Sequence, residues 1–274
     1  IATASASAEI YANTIYSGWS DITEMGVVYS TTPEPTLESG IKVSHTEADR
    51  GVYTISIEEL ASTTKYYVRA FATNGAGTSY SDEKYFVTHH NGGSTDLCAT
   101  GTANSYIITS AGTYSIRPVK GNSDTLLSSI NRVEVIWESF ATATTPEVGD
   151  LVKLVTLDES SSNIVFVTSD TYKEGNALIA AKDAKGTILW SWHLWFTDQP
   201  AEHTYPNNAG IMMDRNLGAI TATPGENGEC GLLYQWGRKD PFAGKEMTAT
   251  CTFEEGDVHT IDYSIAHPTT YIKR

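Results

Sequence analysis

The chain contains no long apolar run, and its apolar segments are only as long as strands. Of its 274 residues 40% are hydrophobic, which is enough for the cores of two or three domains. A helix that spans a bilayer needs about 20 consecutive apolar residues, so no transmembrane segment is predicted in this chain. Ile1 does not begin a secretory leader, and a secreted protein would have this sequence after processing. Helical patterns are also scarce, and the one predicted helix is short, at residues 126–131.

Basic residues are few and scattered. There are 18 Lys and Arg against 33 Asp and Glu, and basic residues run no further than the pairs Arg238-Lys239 and Lys273-Arg274. The formal net charge is −15. Phosphate backbones are bound by clustered positive charge, so nucleic acid is not expected as a partner. An acidic membrane surface would also repel the chain, and the acidity mainly favours solubility.

Cysteine is rare as well. Cys98, Cys230 and Cys251 form no CxxC or Cys/His ligand pattern, so no metal site is predicted and no cofactor is implied. Cys230 and Cys251 could pair in an oxidising compartment, and three free thiols are an equally weighted alternative. The pair His89-His90 has no further ligand at a useful spacing and is interpreted as part of a polar linker.

Motifs for catalysis are absent too. The chain has no Gly-x-Ser-x-Gly elbow, no His-Glu-x-x-His and no phosphate-cradling glycine loop. The carboxylate pairs Glu58-Glu59 and Glu254-Glu255 are adjacent in sequence, so on a strand they point to opposite faces. We therefore predict no catalytic residues and do not expect an enzyme.

What the chain has in abundance is Thr, Ser, Tyr and Gly, a composition that favours an all-β extracellular protein. In the first 89 residues, Gly26–Ser30 is predicted as a strand, and Tyr53, Ile55 and Ile57 alternate with polar residues as in a half-buried strand. Leu60 and Tyr66 have the spacing of a tyrosine corner. The next strand is predicted to alternate between an inward set (Tyr66, Val68, Ala70, Ala72) and an outward set (Tyr67, Arg69, Phe71).

The run LASTTKYYVRAFATNGAGTSYSDEKYFVT resembles the second half of a fibronectin type III domain of the kind found in Bacteroidetes, and the resemblance covers residues 1–89. The opening IATASASAEI is similar to the second strand of that family, so the first strand is expected to be missing. Trimming is the favoured explanation, and the alternative is that another chain supplies the strand at an open edge.

A second domain is predicted over residues 96–200. Turn signals separate strand patterns at the regular spacing of a β-sandwich. These patterns lie at Arg132–Trp137, Asp150–Leu157, Ile164–Thr168, Asn176–Lys182 and Thr187–Phe196.

The last of these strands is rich in aromatic residues. Alternation places Trp190, Trp192, Leu194 and Phe196 on one face, which is predicted to be core, and Ser191, His193 and Trp195 on the other. Two interpretations of the second face remain open. An exposed Trp195 beside His193 could stack on a sugar ring, or both could fill an interface with a neighbouring domain, which is the favoured interpretation.

The stretch MMDRNLGAITATPGENGECGLLYQWGRKDPF at residues 212–242 resembles the opening half of the Fibrobacter major paralogous domain, a C-type-lectin-like domain of Bacteroidetes surface proteins. The resemblance implies a partial α+β lectin-like domain over residues 205–274 that would continue beyond Arg274. Tyr234 and Trp236 are expected in its core, and Asp214 with Arg215 is expected to lock a turn. Glu226, Asn227 and Glu229 offer oxygen ligands, but their spacing matches no known calcium loop.

The fold class expected is therefore mostly β, with tandem β-sandwiches followed by the partial lectin-like domain. Together these resemblances imply a non-catalytic adhesion or ligand-binding protein at the bacterial cell surface, such as a fimbrial tip or accessory subunit. It would bind a host or microbial glycan or protein. The candidate ligand-binding residues are His193, Trp195, Trp236 and Arg238. The alternatives are a polymerising fimbrial subunit that contacts other subunits by strand donation, and a hypervariable surface binding protein.

Overall fold

The protein, seen in a computed structural model, has regular secondary structure that consists almost wholly of β-strands in the described residues. The structure describes residues 1–14, 20–46, 51–121, 123–142, 144, 146–158, 160–243, 251–256 and 260–273. The chain divides into two compact units, one of residues 1–92 with 158–161, the other of residues 93–157 and 162–274. In the described ranges, no helix is long and apolar enough to cross a bilayer.

The first unit is a β-sandwich of two antiparallel sheets. One sheet has the order β1-β2-β5 and consists of β1 (Ala2–Thr3), β2 (Ala8–Thr14) and β5 (Gly51–Ile57). The other has the order β4-β3-β6-β7, with β8 also pairing with β6. Its strands are β3 (Ile22–Ser30), β4 (Ile41–Ser44), β6 (Lys65–Asn74), β7 (Gly77–Tyr80) and β8 (Lys84–Val87). These two sheets give the first unit the β-sandwich fold that the sequence predicts.

The core of the first unit lies between these sheets. The predicted alternation in β5 is confirmed, because Tyr53, Ile55 and Ile57 are buried while the residues between them are exposed. Phe71 lies on the face of β6 opposite Tyr66 and Val68, as predicted, but it is buried there. Phe71 pairs across the sheet with Gly26, where an added Cβ would lie 3.1 Å from the ring. The absent side chain of Gly26 therefore gives Phe71 room to be buried.

Leu60 and Tyr66, whose spacing predicts a tyrosine corner, both lie in the core of the first unit. Both side chains are buried, and the Tyr66 hydroxyl accepts a hydrogen bond of 3.0 Å from the backbone N–H of Ala61. The bond ties the start of β6 to the segment that leads into it, as in the tyrosine corner of β-sandwiches.

Two expectations for the ends of this unit need correction. A first strand is present, because Ala2 and Thr3 pair with Glu9 and Ala8, although it is much shorter than β2. His90 does not lie in an open linker either. It is buried, and its Nδ1 lies 2.8 Å from the Thr63 hydroxyl.

The second unit contains another β-sandwich, made of two four-stranded sheets. One has the order β10-β16-β15-β12, with β10 (Ser105–Ile108), β16 (Ile188–Phe196), β15 (Gly175–Lys182) and β12 (Arg132–Ser139). The other has the order β13-β14-β11-β9, with β13 (Val152–Leu157), β14 (Ile164–Thr168), β11 (Thr113–Ile116) and β9 (Thr95–Asp96). All five predicted strands are present with small changes at their ends. The helix predicted at residues 126–131 is not formed, and Leu126 instead makes a β-bridge with Val119.

The rest of the second unit is a loop-rich segment with few regular elements. It contains a two-stranded ribbon of β17 (Glu202–Thr204) and β18 (Ile211–Met213) and a parallel pair of β19 (Thr252–Glu255) and β20 (Thr270–Lys273). A short helix, α1, spans Ile261–Ala266 and begins with Thr260 as its N-cap. Residues 216–243 of this segment pack against the outer face of the sheet that contains β16.

Candidate functional site

The outer face of β16 is covered by the loop-rich segment. Trp192, Leu194 and Phe196 point into the sandwich core, as predicted, and Ser191, His193 and Trp195 point the other way. His193 is only 3% exposed and Trp195 only 1%. Neither side chain offers a surface to a sugar, so the stacking hypothesis for these two residues is wrong. Both residues lie instead in an interface with the loop-rich segment, which is the interpretation that the sequence favoured.

His193 is held between two neighbouring strands. Its Nε2 lies 2.9 Å from Asn176 Oδ1 on β15, and its Nδ1 lies 2.8 Å from Ser105 Oγ on β10. Because Asn176 Nδ2 donates to the Gly218 carbonyl, its Oδ1 is left to accept, so His193 carries its proton on Nε2 and accepts from Ser105. Burial lowers the pKa of His193 to about 3, so the imidazole is neutral. The Ser–His–Asn chain is therefore a satisfied structural network.

Trp195 is fixed by the backbone of the covering segment. Its Nε1–H donates to the Ala219 carbonyl at 3.0 Å, next to the Gly218 carbonyl that Asn176 uses. Gly218 has a φ of +84°, and a Cβ there would lie 2.4 Å from the Leu232 side chain. Only glycine tolerates both the positive φ and the lack of room for a Cβ, so Gly218 allows the covering segment to approach the sheet closely.

A second buried network joins the covering segment to Ser191. Asp240 accepts from the Ser191 hydroxyl at 2.7 Å and from Lys239 Nζ at 2.6 Å. Lys239 Nζ also lies 2.6 Å from Ser191 Oγ and stands 4.3 Å above the Trp190 ring. A serine beside a lysine is an arrangement known from hydrolases, and here the serine is almost fully buried. The network clamps the segment to the sheet.

Trp236 has the opposite environment. It is 93% exposed, in a turn where the Arg238 N–H donates to the Gln235 carbonyl at 3.1 Å and Gly237 has a φ of +81°. Tyr234 is 45% exposed, although its hydroxyl end is enclosed and burial raises the pKa of that group. The expectation that Trp236 and Tyr234 fill a core is therefore wrong for the described chain. We call residues 234–238 the aromatic turn.

The aromatic turn is anchored on both sides of Trp236. The Gln235 amide pairs with the backbone of Ile272 on β20, donating to its carbonyl at 2.7 Å and accepting from its N–H at 3.3 Å. Arg238 Nη2 donates to the His267 carbonyl at 2.7 Å, just beyond α1. The bridge between Leu233 and Phe242 closes the base of the loop. The exposed ring is therefore carried by a turn that is hydrogen-bonded to two other elements.

Arg238 is partly buried, and its guanidinium is not fully satisfied. The group lies 5.3 Å from the centre of the Phe242 ring, and burial lowers the pKa of Arg238. Its Nε and Nη1 are enclosed and have no hydrogen-bond partner within the described part of the chain. Two of the three guanidinium nitrogens are thus enclosed and the third bonds the backbone, which supports Arg238 as an anchor of the aromatic turn.

The glycine-rich loop before the aromatic turn binds its own carboxylates. Glu226 accepts from the Thr221 hydroxyl, and Glu229 accepts from the Gly225 N–H at 2.6 Å. No group of three or more His, Cys, Asp or Glu side chains is placed to hold a metal ion within the residues that the structure describes. Cys98, Cys230 and Cys251 are all free thiols, so the pairing of Cys230 with Cys251 is not formed.

Comparison with known proteins gives only weak similarity. No protein-family model matches the chain, and no curated protein matches it. The FN1–FN3 domains of chicken CNTN1 match with 12% identity over 74% of this chain and 68% of theirs, at a TM-score of 0.26. A Bacteroides ovatus protein from a mixed-linkage glucan utilization locus, SGBP-B in complex with a mixed-linkage heptasaccharide, matches with 14% identity and a TM-score of 0.19. That match covers 75% of this chain and 46% of the other, so the chain spans under half the length of that protein.

Titin A168–169 matches with 16% identity over 72% of this chain and 93% of its own length, at a TM-score of 0.19. All these TM-scores are too low to support an argument about fold or function. The β-sandwich architecture therefore rests on the sheets of the chain itself.

Proposed function

We propose that this protein is a non-catalytic binding protein of the bacterial cell surface, and that the aromatic turn is its ligand contact. The observation that carries the proposal is the 93% exposure of Trp236 on an anchored turn. An exposed indole costs free energy in water, and Trp is the residue that most often contributes strongly at binding surfaces. Its flat face suits the apolar face of a sugar ring or a side chain of a protein ligand.

The anchors of the turn favour binding by a fixed surface. Gln235 and Arg238 hold the backbone on either side of Trp236, so the ligand does not have to order the turn on binding. Because the turn is already ordered in the free protein, binding costs less conformational entropy, and this favours affinity. The turn is thus suited to recognition of one ligand face, with Tyr234 as a second aromatic contact.

The remaining parts of the chain suit a modular adhesin. The fibronectin-like unit would act as a spacer, and the motif of residues 212–242 supports a lectin-like domain of the Fibrobacter major paralogous kind over residues 205–274. These features favour an extracellular protein of Bacteroidetes, acting as a fimbrial tip or accessory subunit. The ligand would be a host or microbial glycan, or a protein.

The proposal is tested by screening the protein against immobilised glycans and surface proteins and repeating each positive result with Trp236→Ala. We expect a loss of about 1.4 to 2.8 kcal/mol of binding free energy, which is about a tenfold to a hundredfold weaker Kd. Tyr11→Ala is the matched control, because Tyr11 is also an exposed aromatic but lies on β2 in the other unit. Equal binding by wild type and Trp236→Ala would contradict the proposal.

A second candidate function is favoured by the edge of the first sheet. β1 pairs only with Ala8 and Glu9, so Tyr11 and Asn13 of β2 have no strand beside them on that edge within the described residues. Such an edge can accept a strand from another subunit. A polymerising subunit would form concentration-dependent chains, and Tyr11→Pro would stop their growth by removing a backbone donor. Binding of a glycan by a protein that stays monomeric would exclude this role.

A further inference from the structure

The ribbon of β17 and β18 has an apolar surface that the ligand-binding proposal does not use. Every residue of both strands is exposed. The exposed fractions of Ile211, Met212 and Met213 are 60%, 61% and 45%. A two-stranded ribbon is at best marginally stable in water, and a run of exposed apolar residues usually marks an interaction surface.

The base of the ribbon is held by a cluster of charges. The Asp214 N–H donates to the Ala201 carbonyl at 2.9 Å, which closes the ribbon. Arg215 bonds both Asp214, at 2.8 Å, and Asp198, and its side chain is almost fully buried. The guanidinium lowers the pKa of both carboxyl groups. The Asp214–Arg215 pair therefore locks the base of the ribbon, as predicted, and ties it to Asp198.

The hydrogen-bond pattern shows which backbone groups face outward. Tyr205 N–H donates to the Gly210 carbonyl at the tip, and Asp214 N–H donates to Ala201 at the base. Hydrogen-bonded pairs in an antiparallel ladder alternate, so the backbone of Met212 faces His203, and the backbone groups of Ile211 and Met213 point away from β17. Glu202 and Thr204 point away from β18 in the same way, and among the described residues no third strand pairs with either edge.

The two edges differ in charge. Glu202 lies on the β17 edge, and a charge on an edge strand opposes pairing with another strand. The three residues of β18 carry no charge. Two copies of this chain repel each other at long range because each has a net charge of −15. The residues of β18 add nothing to this repulsion, because none of them is charged.

We propose that β18 pairs antiparallel with β18 of a second copy, with the twofold axis at Met212. In this register Ile211 of each copy faces Met213 of the other, and these are the residues whose N–H and C=O groups point outward. The edge is thus self-complementary, as an interface with twofold symmetry must be. Four backbone hydrogen bonds form, the Met212 side chains meet at the axis, and the two ribbons become one four-stranded sheet.

The register is tested with a cysteine at the axis. Directly opposed residues of a non-hydrogen-bonded pair have Cα atoms about 4.5 Å apart, within the range that a disulfide spans. In a protein that also carries Cys230→Ser and Cys251→Ser, we expect Met212→Cys to give a covalent dimer under mild oxidation. Thr204→Cys is the matched control, because it lies on the other edge of the same ribbon, and it is expected to stay monomeric. Equal cross-linking of the two variants would overturn the proposal.

Sedimentation velocity gives an independent test on the unmodified protein. Met212→Glu places two like charges at the axis and is expected to weaken dimerisation by about tenfold or more, whereas Thr204→Glu leaves it unchanged. A wild-type protein that is monomeric at its highest soluble concentration would overturn the proposal. Slow hydrogen exchange of the Ile211 and Met213 amides in such a monomer would show that a different strand covers the edge.

Discussion

At the scale of single residues, His193 is a neutral imidazole inside the second unit, bonded at both nitrogens to Ser105 and Asn176. Burial lowers its pKa to about 3 in the folded protein, whereas an unfolded histidine has a pKa of about 6.5. Protonation therefore favours the unfolded chain. The stabilising effect of the neutral ring is fully present above pH 6.5 and is lost as the pH falls towards 3.

This difference predicts the acid sensitivity of the fold. Between pH 7 and pH 4.5 we expect His193 to account for a loss of about 2 kcal/mol in the free energy of unfolding, because each pKa unit is worth about 1.4 kcal/mol. Urea denaturation at several pH values measures it. His193→Gln is expected to lose less stability over this range than wild type, whatever its stability at pH 7. His203→Gln, at an exposed histidine of β17, should keep the wild-type slope. An identical slope for His193→Gln would contradict the account.

At the scale of elements, the aromatic turn is held by the side-chain amide of Gln235, which pairs with the backbone of β20. Gln235 makes two hydrogen bonds to the backbone of Ile272, and each is worth roughly 1 kcal/mol. Gln235→Ala is expected to speed hydrogen exchange of the Ile272 amide by about tenfold and to weaken ligand binding, because the turn is no longer held. Gln199→Ala, at an exposed glutamine, is the control. Unchanged exchange at Ile272 would mean that the anchor does not hold β20.

Strands were the elements that the sequence predicted best. Alternation identified the inward residues of β5 and β16, because a strand with one face in a core must repeat every second residue. Alternation placed Phe71 on the correct face of β6 but did not predict that it is buried there, because this burial depends on Gly26, a partner on another strand. The helix at residues 126–131 failed for a related reason, since the bridge from Leu126 to Val119 is a non-local contact.

At the scale of the whole molecule, the two β-sandwiches followed from turn spacing and strand patterns, but the cover over β16 did not. Whether Trp195 meets a ligand or a neighbouring segment depends on where residues 216–243 fold, and that path is set by Gly218 and by the Lys239–Asp240–Ser191 network. The same limit applies to Trp236, which the family resemblance placed in a core and which the geometry of its turn exposes. The sequence named both Trp195 and Trp236 as candidates for ligand binding. Tertiary contacts bury Trp195 and leave Trp236 exposed.

The most direct test of the central claim is a ligand titration of protein labelled with 5-fluorotryptophan, observed by ¹⁹F NMR. The chain has six tryptophans, and Trp236→Phe assigns the resonance of Trp236. We expect a ligand identified by the screen to shift the Trp236 resonance and to leave those of the buried Trp192 and Trp195 in place. A ligand that binds without moving the Trp236 resonance, or that moves the buried ones instead, would contradict the aromatic turn as the binding site.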